Sequence, residues 1–218
     1  GNNQKRRDTC VAYLFWSKKI YPIAIKGLMT LNSSLKVNGN ATFDGRDHDM
    51  NGNLIPGKGI PGFWTTGSYA QISGSADVGG TDLGIDYPPT NPGDPAVIKV
   101  NQVYPGGFPQ TPDSVFGGLG ATFPEGTLKA IAQSGYAGSQ YVTDPSKLKH
   151  PLTGVTYIEM PVTAPDNEFN SAEITGEGIL IVHNSATNAM IKNTKATFKG
   201  LIIADDMYHL HGDILGGI

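Results

Sequence analysis

Charge is scarce in this chain. Only 16% of its 218 residues are Asp, Glu, Lys or Arg, against about 25% in an average globular protein. The formal net charge is −3, so the chain lacks the basic field that holds a nucleic acid. A single cysteine, Cys10, excludes an internal disulfide and leaves the redox compartment open. No apolar run approaches the roughly 18 residues that a membrane-spanning helix needs. The composition is also wrong for a helical bundle or coiled coil, which would be rich in Ala, Glu, Lys and Leu. A charged disordered tail is excluded as well, because 39% of the residues are apolar and fall in ordered runs.

What the chain has in excess is backbone punctuation, with 29 Gly and 15 Pro. Short strands separated by frequent turns are the expected result, in one β-rich domain with ample length for a core. The chain opens on Gly-Asn-Asn, which reads as the start of a trimmed ectodomain. We expect an arm or remnant over 1–19 and a single β-rich ectodomain over 20–218. In the arm, Lys5-Arg6-Arg7 precedes Val11-Ala12-Tyr13-Leu14-Phe15-Trp16. That pattern suits a membrane-surface arm or an ordinary first strand or helix. Asn32-Ser33-Ser34 and Asn40-Ala41-Thr42 match the N-glycosylation pattern, a signal that depends on a eukaryotic host.

Three zones follow. From Ile20 to Phe43 the alternation of Leu35 and Val37, then Ala41 and Phe43, predicts strands with Asn38-Gly39 as the turn between them. From 44 to 171 the chain reads as a loop-rich insertion. It holds one helix signal over Glu125–Ser134, with Pro124 before it and Gly135 as its C-terminal cap. It also holds a strand over Val155–Val162, stopped by Pro161. From Ala172 onward, Gly178-Ile179-Leu180-Ile181-Val182 is answered by Gly200-Leu201-Ile202-Ile203-Ala204. Short aliphatic strands at a period near 20 residues predict coils of a small parallel β-helix or β-roll built from the N- and C-terminal zones. An antiparallel sandwich is the competing architecture. The final segment reads as a strand to which a further coil would add.

Gly27-Leu28-Met29-Thr30 and Val37 to His48, together with Gly178–Val182 and Phe198–Ile203, resemble a family of bacterial surface proteins similar to PilX-type pilus-assembly proteins. The resemblance covers two short blocks around an unmatched middle. It implies a β-rich exported ectodomain behind an N-terminal membrane helix, at the bacterial cell surface, extracellular or periplasmic. Its partners would be other envelope or pilus proteins or surface glycans. It supplies no catalytic residues.

The richest local constellation is Asp47, Asp49, Asn51 and Asn53 around Gly52. Oxygen ligands two residues apart, with a Gly for the sharp turn, are the first half of a calcium loop, so Ca2+ is the candidate cofactor. The twelfth position is Lys58 instead of a bidentate Glu, which excludes an EF-hand. The competing reading is an Asx-rich turn in which Asp and Asn bind local amides and Arg46 pairs with Asp44 or Asp49. His209 and His211, two apart on a strand, share a face and together with Asp205, Asp206 or Asp213 form a weaker metal set. His48, His150 and His183 read as structural.

Catalytic signals are sparse. The chain has no Gly-x-Ser-x-Gly elbow, and Gly117-Gly118-Leu119-Gly120 lacks the ending of a phosphate loop. Asp205-Asp206 is the only adjacent carboxylate pair in the repeat zone, and strand geometry sends the two to opposite faces unless they sit in a turn. Tyr87, Tyr104, Phe108, Tyr136 and Tyr141 on loops read as contact anchors or as packing for the insertion. The expected function is a non-catalytic envelope or pilus-associated structural or adhesive ectodomain. The alternative is a carbohydrate-active β-helix enzyme using paired carboxylates.

Overall fold

A computed structural model describes residues 24–49, 51–121, 123–170 and 173–218. The basic run, Cys10, the Val11–Trp16 stretch and the arm over 1–19 lie outside the described residues. The strands are β1 Met29–Leu31, β2 Leu35–Asn38, β3 Thr42–Asp44, β4 Phe63–Thr65, β5 Tyr69–Ser73, β6 Asp77–Asp82, β7 Ile85–Thr90 and β8 Ile98–Lys99. After helix α1, Thr127–Ser134, come β9 Gln140–Val142, β10 Val155–Glu159, β11 Glu168–Phe169, β12 Ile174–His183, β13 Met190–Ala204 and β14 Asp206–Gly217. The molecule is mostly β and its sheets are mostly parallel, as the punctuated sequence predicts.

The first stack is built from sequence-distant partners. β1 pairs with β4 and β4 with β8, β2 pairs with β5, and β3 pairs with β6, all in parallel. Among the described strands only β7 runs antiparallel, folded back on β6. The Asn38-Gly39 turn is therefore a corner between strands that pair elsewhere. Small polar residues stack at such corners: Thr66 Oγ1 donates to Asn32 Oδ1 at 3.1 Å, 34 positions away, and Ser68 bonds Ser34 across the same interval. Ser73 donates to Asn38 at a spacing of 35. Inside, Phe43, Phe63 and Tyr69 form an aromatic run with ring centroids 4.9 and 5.2 Å apart.

In the second stack, β9, β10, β12, β13 and β14 are parallel neighbours in that order. The repeat expected from sequence falls on adjacent strands, with Gly178 opposite Gly200 and Ile179 opposite Leu201. Alternation sorts the side chains by face. Ile158, Leu180, Val182 and Ile202 point into a core with Phe169, Ile174, Ile191 and Phe198. Tyr157, Ile181 and Ile203 face the other way, onto α1 residues Leu128 and Ala132 and onto Phe116 and Phe123. The helix begins two residues later than expected and ends at Gly135, in the left-handed conformation (φ 69°). Its start is capped from a distance, because buried Asp113 accepts from Gly126 N and Leu128 N, both at 2.9 Å.

The segment 44–171, expected as a loop-rich insertion, carries β4 to β11 and so supplies rungs to both stacks. The stacks meet at Ile218, whose N–H donates to Leu28 O while Thr30 N–H donates to Ile218 O, both at 2.8 Å. The strand order thus runs β9, β10, β12, β13, β14 and onward to β1, β4, β8. Ile218 also packs against the cores of both stacks.

A column of glycines crosses the second stack. Gly178 faces Gly200, and Gly200 faces Gly216, in successive registers. A Cβ placed on Gly200 would lie 2.0 Å from Gly178 O, and one on Gly178 would lie 2.1 Å from Gly154 O. At these positive φ values a Cβ would point at the neighbouring strand's carbonyl, so only glycine fits the register.

Candidate functional site

A row of titratable groups lies on the helix-facing side of the second stack. β10 and β12 place Glu159 directly opposite His183. His183 Nδ1 lies 2.6 Å from Asp205 Oδ1, so Glu159 on β10, His183 on β12 and Asp205 just past the end of β13 form one row. Asp205 sits in the bend between β13 and β14 and is nearly enclosed. Its second oxygen accepts from Asn184 N and Ala189 N, both at 3.1 Å. The ring of Tyr157 meets His183 edge-on at 6.4 Å. A carboxylate on one ring nitrogen fixes the orientation of the imidazole.

Glu159 is engaged from the other side. Lys129 Nζ, projecting from α1, is 2.5 Å from its Oε2, and the Tyr141 hydroxyl donates to the same oxygen. These two bonds hold the Glu159 carboxyl below its usual range, the lysine being the larger cause. The same contact raises Lys129, while burial pushes up the hydroxyls of Tyr141 and Tyr157.

The sign follows for stability. A group depressed in the folded state stabilises the fold above its ordinary value of 4.5 and loses that contribution as the pH falls through the folded value. The melting temperature of the wild type should fall more steeply than that of Glu159→Gln between about pH 5 and pH 3. Parallel pH profiles for the two proteins would show that the Lys129–Glu159 contact carries no stability.

The structure places the acidic loop elsewhere, beside β3. Arg46 pairs with Asp44 at 2.7 Å, one of the two partners expected. Asp49 Oδ1 accepts from Asn51 N at 2.8 Å and Asn53 N at 2.9 Å, and Asp49 Oδ2 accepts from Asn53 Nδ2. Asp49 and Asn53 are thus brought together through amides of their own loop, the arrangement of an Asx turn. Asp47 contributes its carbonyl to Ile55 N, and its side chain, like that of Asn51, faces solvent. Asp205 and Asp206 diverge: the second accepts from Met207 N. His211 sits opposite Lys195 in the β13–β14 register, but the side chains of His209, His211 and Asp213 lie outside those described.

Of the loop aromatics, Tyr141 joins the polar row. Tyr104 packs edge-on against Trp64 and Phe108, each at 5.4 Å, and lines a cleft of about 550 Å³ with Lys26 and Glu125. Tyr136 is exposed.

Sequence reasoning assigned His183 a structural role and weighed Asp205 only with Asp206 or with the distal histidines. The signal that joins them was present, since they stand 22 positions apart, the interval that separates Gly178 from Gly200. Scans against protein-family models, against curated proteins and against solved structures each found no match.

Proposed function

We propose that this chain is a non-catalytic structural or adhesive ectodomain of the bacterial cell envelope, associated with pili and built as a small parallel β-helix or β-roll. The observation that carries the reading is the in-register parallel stacking of β12, β13 and β14. Stacked repeats of this kind present extended surfaces for contacts with partners. The blocks that resemble PilX-type proteins fall on this architecture: Gly178–Val182 and Phe198–Ile203 are neighbouring strands, and Leu28 bonds Ile218.

The polar row supports the same reading. Glu159 is ion-paired with Lys129 and accepts from the Tyr141 hydroxyl, and Asp205 bonds two amides and an imidazole. Groups committed to one another brace an element. A general acid–base pair needs a proton position facing substrate.

The test has two arms. Antibody raised against the domain should label the cell surface or the sheared pilus fraction of the source bacterium, and label confined to the cytoplasm would overturn the reading. Incubation with a panel of bacterial polysaccharides should release no new reducing ends. Turnover that disappears in His183→Ala would establish the carbohydrate-active alternative instead.

A further inference from the structure

We infer that the segment from β9 to β10 is a terminal cap, which seals one end of the second stack and keeps other copies of the chain from adding there. The sheet tapers toward this end: β13 has 15 residues, β12 has 10, β10 has 5 and β9 has 3. A very short edge strand offers little template for pairing with another chain.

The inner face of the last strand is closed by side chains of the segment itself. Gln140 lies opposite Thr156 and Val142 opposite Ile158, so Gln140 and Val142 share the face that Ile158 turns to the core. Val142 and Leu148, both half-buried, pack against that core. Gln140 finishes it with a polar bridge. Its Oε1 accepts from Lys149 N at 3.0 Å, and its Nε2 donates to Lys149 O at 2.9 Å and toward Thr156 Oγ1 at 3.5 Å. One carboxamide thus pairs with the main chain of Lys149 in both directions, as a neighbouring strand would.

The loop that carries Lys149 is held in shape from within. Asp144 Oδ1 accepts from Ser146 N at 2.9 Å, Asp144 O from Lys147 N at 3.0 Å and Pro145 O from Leu148 N at 3.1 Å. Leu148 therefore meets the core while Asp144, Ser146, Lys147, Lys149 and His150 are exposed. Apolar groups inside and charges of both signs outside are what a terminal repeat needs where a stack meets water. Lys and Pro also discourage edge pairing, and Pro145 and Pro151 bracket the two lysines. The inference rests on the solenoid reading of this stack and adds that partners do not dock at this end. The two can fail separately: a cap that proves dispensable leaves cell-surface labelling unchanged.

Hydrogen exchange and sedimentation velocity from about 10 μM to 1 mM test it. In Gln140→Leu the bridge is lost and the end becomes apolar. The Lys149 amide should then exchange about tenfold faster, the scale of one lost hydrogen bond, and the variant should associate at lower concentration than the wild type. Lys147→Val combined with Lys149→Val removes the outer charges, leaves the main-chain bridge in place and should also associate. Lys36→Val, at an exposed lysine of β2, is the control and should sediment as the wild type does. Should Gln140→Leu fail to fold, the double valine variant decides alone. Unchanged exchange at Lys149 in a folded Gln140→Leu would overturn the inference, as would variants that all sediment like the wild type. Association of the control to the same degree would overturn it too, as a general response to added apolar surface.

Discussion

Gly200→Ala should destabilise the molecule severely, with an expected loss of about 4 kcal/mol or more. The added Cβ would lie 2.0 Å from Gly178 O, and Gly200 has φ of +139°, where side chains are strained. The obstructing atom is a backbone carbonyl in the middle of a parallel ladder. It cannot rotate away as a side chain would, so the strands must separate. Separation weakens the bonds flanking the Gly178–Gly200 register and opens the packing of Leu180, Ile202 and Phe198 beneath it. Gly120→Ala is the control, because no atom lies within 4 Å of its Cβ position; it should change stability by no more than about 0.5 kcal/mol. Urea unfolding of the three proteins decides the matter. If Gly200→Ala and Gly120→Ala unfold together, the glycine column does not set the strand spacing.

Asp205→Ala should have the second largest effect, about 3–4 kcal/mol. One carboxylate satisfies three donors: the His183 ring, Asn184 N and Ala189 N. Asn184 and Ala189 are 1% and 0% exposed, so water does not replace the lost acceptor. Each stranded amide then costs about 1–3 kcal/mol. Asp205→Asn keeps one acceptor oxygen and should lose about half as much. The melting temperature should drop by about 10 °C for the alanine variant, following the size scaling of unfolding entropy. A drop of less than about 2 °C would mean that the bend between β13 and β14 is held by the strands alone.

The second stack was legible because its repeat is spelled in residues with strong character. Gly178 and Gly200 each precede an aliphatic run, and identical spacing places identical roles side by side. The first stack repeats at 34 to 35 positions, yet its matched residues are Asn32 with Thr66 and Asn38 with Ser73. These pairs share only the ability to hydrogen-bond at a corner, a property that many residues meet, so the period leaves no visible pattern. Strands of three residues such as β1, β3 and β4 also give alternation too little length to register. The polar row was missed for a related reason. Glu159, His183 and Asp205 are far apart in sequence and become a unit only through strand register, whereas Asp47 to Asn53 drew attention by being contiguous. Lys129 joins the row from a helix, and no sequence period links it to Glu159.

The junction at Ile218 also bears on how the molecule folds. Its two hydrogen bonds to Leu28 and Thr30 close a loop spanning nearly the whole described chain, and such closure is entropically costly until other contacts have formed. Neighbouring strands within either stack can pair over tens of residues, so each half can zip locally. The rung that welds them waits for both. The high contact order of that joint is expected to make docking of the halves the slow step of folding, and disturbing the Ile218 contacts should leave two partly ordered halves that have lost their cooperativity.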